Sequence, residues 1–460
     1  MYTRPHKKLK NIAPVRLITV SFFVIIVIGT LLLCLPISSR SGRVSSLDAL
    51  FVSTSATCVT GLTPFDTYSH WTGFGQVIIL ILIQLGGLGL LTFTTGFSLL
   101  LRGKIGLRDL QIAKEHTSAS VMDVPHLIKM ILLVTFLCET LGALVLSIRF
   151  IPQFGLHGVW ISIFLSVSSY CNAGFDILGF IEPNTRLIHY NSDPLVIVTI
   201  ALLIIAGGLG FIVINELYTR TKERIRGEKR AFFNTTLHTK VVLLMTVILI
   251  VAGTFLILLF ESDYLFADMN WGEKLSAAFF QSVSARTAGY ASVDIASEQP
   301  TTQCTTILLM FIGASPASTG GGIKTTTFVI LVATVLSVFR GRDETTLFHR
   351  RVDKSVVYRS LAITIAAFFL VIVTTTVIIF AESHNENISS LDALFEAVSA
   401  FGTVGLSSNV TPYLSGISKI AVIITMFIGR IGPVSMGLVF AIKNNRKNSA
   451  VLPEGRIIVG

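Results

Sequence analysis

Long apolar runs alternate with short polar connections along nearly the whole chain. Charge-free runs cover Leu17 to Ser39, Trp71 to Leu101, Pro194 to Asn215, Val241 to Phe260 and Ser360 to Ala381. Each is near or above the roughly 20 residues that an α-helix needs to cross a bilayer. Three further runs are interrupted: Lys129 to Phe150 holds Glu139, Thr301 to Phe339 holds a glycine cluster and Lys324, and Ile420 to Ile442 holds Arg430. The pattern predicts eight crossings. The first run is too long for the apolar part of a secretory leader and no small-residue cleavage site follows it, so it reads as a retained span.

Between paired runs lie four shorter apolar stretches that end in glycine and do not reach spanning length. They read LDALFVSTSATCVTG to Gly61, WISIFLSVSSYCNAG to Gly174, LSAAFFQSVSARTAG to Gly289 and LDALFEAVSAFGTVG to Gly405. Ten residues before each glycine stands a phenylalanine: Phe51, Phe164, Phe279 and Phe395. The glycines recur at intervals of 113, 115 and 116 residues, the regularity of internal duplication. Any one of them alone is a glycine turn capping a helix; fourfold recurrence is what argues otherwise. Each copy reads as helix, short re-entrant helix such as Leu47 to Thr57, glycine segment, helix. A unit that crosses twice returns to its starting side, so the copies are parallel and can surround an axis along the membrane normal. The expected fold is an all-α polytopic membrane protein with four parallel helix/pore-helix/helix repeats in pseudo-fourfold symmetry around one pore. Its boundaries are a cytoplasmic arm 1–16, repeat 1 at 17–106, a connection at 107–124, repeat 2 at 125–218, a basic loop at 219–239, repeat 3 at 240–340, a loop at 341–355, repeat 4 at 356–442 and a tail at 443–460.

Composition agrees with a lipid solvent, since 52% of residues are hydrophobic and 13% charged. Charge then sets sidedness. Most of the 36 Lys and Arg fall in the N-terminal arm, in 102–129, 219–240 and 340–359, and in the C-terminal tail, which places both termini in the cytoplasm of a cell-membrane protein. The opposite loops are acidic, with Asp48, Asp66, Asp176, Glu182, Asp193, Glu261, Asp263, Asp268, Glu273, Asp294, Glu298, Glu382, Glu386, Asp392 and Glu396. Individually these read as solvated loop charges; their summed field concentrates cations. The net charge of +10 points to anionic lipid at the inner face rather than nucleic acid. Cys34, Cys58, Cys138, Cys171 and Cys304 show no metal-type pairing and are assigned no redox role.

Backbone at membrane depth without helical pairing is tolerated only where protein buries it or where it lines a wet path. Carbonyls of four such segments on a common axis can replace the hydration shell of a monovalent cation. Glycine permits the angles that aim successive carbonyls one way, and the negative C-terminal ends of the short helices favour a cation there.

TCVTGL, YCNAGF, ARTAGY and GTVGLS resemble the four degenerate filter segments of the Trk, Ktr and HKT superfamily of potassium transporters. The likeness covers nearly the whole chain and is similar in particular to the KtrB-like membrane subunit of bacterial Ktr systems, with eight spans and no extra N-terminal helix pair. It implies a K+ filter from the backbone of Thr57, Cys58, Val59, Thr60 and Gly61, of Cys171, Asn172, Ala173 and Gly174, of Arg286, Thr287, Ala288 and Gly289, and of Gly402, Thr403, Val404 and Gly405. Sodium-carrying plant relatives have serine for the first of these glycines, so four glycines imply potassium selectivity. The resemblance also implies a homodimer with one pore per protomer, sodium as an activator, and a cytoplasmic KtrA-like ring of RCK type. Nucleotide (ATP or ADP) is then held on that partner rather than on this chain.

FIGASPASTGGGIKTTT, from Phe311 to Thr327, resembles the intramembrane loop that gates the pore in the same family. Ala314, Ser315, Pro316, Ala317, Ser318, Thr319, Gly320, Gly321 and Gly322 make up the expected loop, with Lys324 beside it. Gly costs about 1 kcal/mol per helix position and Pro about 3, so a nonhelical stretch over Ala314 to Gly322 follows from the residues alone; a passive kink is the alternative. GGGIKT is not a phosphate loop, because its lysine does not directly follow the last glycine. Arg430 lies near the middle of the last run, where an unpaired charge is costly. It faces the pore as a barrier beneath the filter, or pairs with Glu139 or with carbonyls of another helix. Glu139 itself reads as an interhelical partner. A rocking transporter would show inverted repeats, and an enzyme a nucleophile or metal constellation; the copies are parallel, and no HExxH, GxSxG or clustered His occurs.

Overall fold

The computed structural model describes residues 14–89, 124–183, 185–228, 234–342, 344–385, 388–433 and 436. Most of the N-terminal arm, the end of the second apolar run with the connection after it, and the end of the last run with the tail lie outside the described residues. The first unit contains α1 (Pro14–Leu33), α2 (Ser46–Cys58) and α3 (Gly73–Leu88). The second contains α4 (Val124–Phe154), α5 (Leu156–Tyr170), α6 (Pro194–Leu209) and α7 (Phe211–Ile225). In the third are α8 (Leu237–Glu261), α9 (Trp271–Ser284), α10 (Pro300–Ile312) and α11 (Thr325–Phe339), and in the fourth α12 (Lys354–Ala381), α13 (Ser390–Gly402) and α14 (Gly416–Ile431).

Among the described residues three helices are individually long and apolar enough to span a bilayer: Lys129–Phe154, Leu237–Glu261 and Lys354–Ala381. On α4 the residues Leu133, Phe136, Leu137, Leu141, Leu144 and Ile148 form an exposed apolar stripe at helical spacing, as a lipid-facing helix requires. Ile18–Leu33, Gly73–Leu88, Pro300–Ile312 and Thr325–Phe339 are shorter. The run expected to continue from Pro194 to Asn215 is broken. It stops at Leu209 and the chain turns by 99° into α7. The hinge is Gly210, whose φ of 89° is closed to most side chains. Helix α7 then continues past 218 into the stretch read as loop, and the connection after α11 holds a small antiparallel ladder, β1 (Thr346–Leu347) with β2 (Arg350–Arg351).

Two of the short helices, α9 and α13, start on capping boxes supplied by their sequences. In α13, Ser389 Oγ accepts from Asp392 N and an Asp392 carboxylate oxygen accepts from Ser389 N, each at 3.1 Å, so two end amides are satisfied reciprocally. Three of the four returning helices begin on capping side chains as well: Thr72 accepts from Gly75 N, Asp193 from Leu195 N and Ser415 from Ser418 N.

One packing motif holds three of the four units together. Ser53, Ser166 and Ser282 donate to carbonyls of the preceding long helix, Ile26, Glu139 and Ile250, at 2.8, 2.6 and 2.9 Å. Three residues beyond each carbonyl stands a glycine: Gly29, Gly142 or Gly253. A Cβ there would come within 2.7, 2.7 and 2.8 Å of Leu82, Leu203 and Leu309 on the returning helix. Small residues thus let three helices close on one point, as membrane packing favours. The fourth unit solves the contact differently. Thr374 replaces the glycine, Ala397 the serine and Thr425 the leucine, and the two threonine hydroxyls meet at 2.7 Å. Gly253→Val is therefore expected to overpack its cleft by about 1–3 kcal/mol and to lower the melting temperature of detergent-solubilised protein. An unchanged melting temperature would show that the cleft relaxes freely.

Candidate functional site

Each short helix ends in the same backbone figure. The residue two before the key glycine is left-handed in all four copies: Val59 (φ 59°), Asn172 (59°), Thr287 (74°) and Thr403 (48°). The glycines follow at φ 94°, 68°, 77° and 95° for Gly61, Gly174, Gly289 and Gly405. Non-glycine residues rarely adopt positive φ, and a β-branched valine or threonine there is strained. The strain is held by burial and hydrogen bonds. Thr60 N, Ala173 N and Val404 N donate to the carbonyls of Ser55, Ser168 and Ser399 at 2.8, 2.8 and 2.9 Å, and Ser55 and Ser399 hydroxyls accept from Gly61 N and Gly405 N at 3.0 and 3.1 Å.

The third copy is one residue shorter. There Ala288 N donates to Ser284 O at 2.9 Å, four residues back instead of five. The buried phenylalanine equivalent to Phe51, Phe164 and Phe395 is accordingly Phe280; Phe279, found by counting from the glycine, is only half-buried.

The four glycines come together in a closed cycle. A Cβ on Gly61 would abut Ala173 O and lie 3.2 Å from Gly174 Cα; on Gly174 it would lie 2.6 Å from Ala288 O and 3.0 Å from Gly289 Cα. On Gly289 it would abut Val404 O and lie 3.0 Å from Gly405 Cα, and on Gly405 it would abut Thr60 O and lie 3.0 Å from Gly61 Cα, which returns to the start. Thr57, Cys58, Cys171, Ala288, Gly402 and their neighbours are buried. Asn172 reaches Thr287 Oγ1 at 3.3 Å, and with its amide turned it also donates to Ser169 O and Ile204 O at 3.0 and 3.2 Å. The Arg286 side chain stands apart. It lies in a crevice with Ile204, Gly208, Thr246 and Ala314, and makes none of the contacts that close the cycle.

Below the cycle three of the returning helices stop at equivalent glycines, Gly89, Gly210 and Gly432, with φ of 74°, 89° and 94°. In the third unit the break comes earlier, at Gly313, and residues 313–324 are nonhelical. This loop is docked by its own backbone. Ser315 N and Thr319 N donate to Gly208 O and Gly207 O at 3.2 and 3.3 Å, Phe211 N donates to Ala317 O at 2.9 Å, and Thr319 Oγ1 donates to Tyr170 O at 3.3 Å. Ser318 closes the turn onto Ser315 O at 2.6 Å, and Pro316 O faces Gly210. Gly320 and Gly321 sit against the hydroxyls of Thr287 and Thr403, while Gly322 packs on Gly313. Ala314 O accepts from Thr325 N at 3.2 Å.

Two cations hold the loop's carbonyls. Lys324 Nζ donates to Gly320 O at 2.7 Å and Gly321 O at 3.3 Å. Arg430, in the last turn of α14, donates to Thr319 O and Gly86 O, which joins the loop to the first unit. Carbonyls, not Glu139, are its partners. Glu139 accepts from Gln84 Nε2 at 3.2 Å and lies 3.9 Å from Cys171 Sγ, a link between α3, α4 and the second segment.

Above the cycle opens a cavity of about 470 Å³, lined by Gly61, Gly174, Asp66, Asp176, Arg186 and Asp294. Many of the other outer acids are buried in structural roles rather than solvated. Asp48 pairs with Lys419 at 2.7 Å, Glu382 accepts from Ser415 N and Ser418 Oγ at 2.7 and 2.6 Å, and Glu396 accepts from Thr411 at 2.5 Å. Arg186 was not singled out by sequence: it is one basic residue in an outer loop. Its Nη1 donates to Gly289 O at 2.7 Å.

A family model described as a cation transport protein, TrkH, matches residues 3–450. The chain belongs to the TrkH family. Relatives in this family include Ktr system potassium uptake protein B of Bacillus subtilis, 38% identical over 97% of both chains, and potassium/sodium uptake protein NtpJ of Enterococcus hirae, 38% identical over 98% of both. The solved potassium transporter TrkH of Vibrio parahaemolyticus shares the fold, with a TM-score of 0.71 at 17% identity over 96% of this chain and 88% of its own. As a TrkH-family chain this is a membrane-embedded cation transport protein and not an enzyme.

Within the vestibule of this TrkH-family chain, burial foremost and then Asp66 raise the Asp176 carboxyl to about 6. A raised acid binds its proton more tightly when folded, so its stabilising share is complete below the unfolded value near 4 and is lost as pH rises through 6. Asp176→Asn keeps an acceptor for Leu178 N and removes the buried charge. It is expected to leave the melting temperature in detergent unchanged or higher at pH 7.5; a fall would show that the charge itself is required.

Proposed function

We propose that this chain is the ion-conducting subunit of a potassium uptake system, passing K+ through a filter built from backbone carbonyls of its four glycine segments. The closed cycle of glycine contacts carries the reading. Four buried backbones that approach until no Cβ fits leave carbonyls as the groups able to face a dehydrated ion. The names of the relatives that take up potassium, or potassium and sodium, support the choice of ion and make sodium a candidate second ion or activator. The filter comprises Thr57 to Gly61, Cys171 to Gly174, Arg286 to Gly289 and Gly402 to Gly405, in pseudo-fourfold arrangement within eight crossings whose termini are cytoplasmic.

The gate in this reading is the loop Ala314 to Gly322 with Lys324 and Arg430. It stands beneath the threonine and asparagine ends of the segments, where a cation leaving the filter must pass. Partners belong to the same proposal: a second copy of the chain, lipid, and a cytoplasmic nucleotide-binding ring on the basic inner connections. The name "Ktr system" among the relatives supports a further component.

Wild type is expected to restore growth of potassium-transport-deficient cells at low potassium. Gly289→Asp, which drives a charged side chain into the backbone of the fourth segment, is expected to abolish it. Rescue by Gly289→Asp at normal membrane abundance would sink the filter. Arg430→Ala frees Thr319 O and Gly86 O and is expected to raise flux by at least severalfold; unchanged or lower flux in a well-expressed variant removes the gate.

A further inference from the structure

The outer mouth of the glycine cycle is not symmetric. Of the four key glycines, Gly289 has its carbonyl capped by a side chain from another unit, Arg186 of the second, at 2.7 Å. The cap is built into the backbone. Arg186 adopts φ 49°, an uncommon angle for a side-chain-bearing residue, and Leu187 N next to it donates to Ala291 O at 3.1 Å, fastening the arginine's loop to the third segment two residues beyond the glycine. Leu187 is fully buried, so the attachment has an apolar root. The guanidinium itself is half-buried in the wall of the vestibule, with Asp66, Asp176 and Asp294 around the same cavity.

The geometry points to Arg186 as a tethered cation that competes with the arriving ion for the Gly289 carbonyl and so sets the apparent affinity of uptake. This rests on the conduction reading above. A carbonyl oxygen spent on a guanidinium offers less to an ion, and a fixed positive charge beside the outermost position repels it. Vestibule carboxylates offset that repulsion for approach from a distance but not at the carbonyl itself, so a cation is drawn to the mouth and bound there weakly. Weak, displaceable binding is what throughput in a multi-ion path requires. Arg suits the role because it keeps its charge at every physiological pH and donates in a plane fixed by its own geometry.

The test is rubidium uptake from the outside, with potassium as competitor, by wild type, Arg186→Gln, Arg186→Lys and Arg186→Ala. Arg186→Gln is expected to lower the half-saturating concentration by about three- to tenfold and, because the ion is then held more tightly, to lower the maximal rate as well. Arg186→Lys is expected to stay near wild type. Free guanidinium outside is expected to raise the half-saturating concentration of Arg186→Ala severalfold and to affect wild type much less. A half-saturating concentration unchanged or raised in folded Arg186→Gln overturns the proposal, as does equal guanidinium sensitivity. If the neutral variants do not fold, wild type in proteoliposomes serves. Butanedione modification of Arg186, read by mass spectrometry, is expected to rise with external potassium but not with choline, because a bound ion frees the guanidinium; no dependence on potassium overturns the idea. Wild type that takes up neither ion removes the conduction reading itself.

Discussion

The constraint on which the rest of the molecule turns is the approach of four backbones so close that none has room for a Cβ. Gly61, Gly174, Gly289 and Gly405 each press on the Cα of the next and on the carbonyl of the residue before it, and each has the positive φ that glycine adopts without strain. Such an approach buries polar backbone at membrane depth, which is tolerable only if every segment is held rigidly and its carbonyls find a partner. The supports are accordingly redundant. Amides of the segments bond back to Ser55, Ser168, Ser284 and Ser399, and three of the short helices are drawn against the long ones by serine hydroxyls seated over glycines. Strain at Val59, Thr287 and Thr403 persists because these side chains are fully buried and cannot relax outward.

Beneath this cycle the same logic runs in reverse. Three of the returning helices end at glycines 89, 210 and 432, whose positive φ angles side-chain-bearing residues rarely take. In the third unit the ending is brought forward to Gly313, and the chain released is spent on the loop rather than on further helix. A loop in lipid would orphan its carbonyls. Lys324 and Arg430 supply the donors, and Arg430 also reaches Gly86 O, so one side chain ties the loop to the far end of the repeat series. The charge that looked costly in the last apolar run is satisfied by the carbonyls of Thr319 and Gly86.

Much of this was legible before any coordinates, and the reasons differ by feature. Repetition is visible in text because the four segments preserve residue types that the backbone figure demands, so Gly289 stands out by interval alone. The extent of the nonhelical loop followed from Pro316 and the glycines 320 to 322, whose helix penalties are large and local. Other features were hidden because they depend on contacts rather than types. Counting from Gly289 led to Phe279, since a one-residue deletion inside a degenerate segment leaves no textual mark; only the hydrogen bond from Ala288 N to Ser284 O reveals it. The bend at Gly210 lay inside an unbroken apolar run, and apolarity says nothing about direction. Arg186 looked like one more loop charge because its meaning depends on what a residue 103 positions away presents to it.

The departures from fourfold likeness are therefore informative, and they are not spread evenly. Repeats one and two keep glycine, serine and leucine at the helix junction and end their returning helices in the same GGLG tetrapeptide. The third carries the shortened segment, the early break, the loop and the capped Gly289 carbonyl; the fourth carries the threonine pair and the arginine that holds the loop. A ring of four identical units can select an ion but has no means of treating one side of the axis differently from another. Closing or biasing a path needs an element that occupies the axis from one side, and such an element breaks the symmetry of whatever surrounds it. Here the asymmetric elements, the loop below and Arg186 above, both bear on the third segment and are fastened by residues of its neighbours. If the segments conduct as proposed, the duplicated backbone accounts for selection and its divergence, concentrated in the third and fourth units, for control.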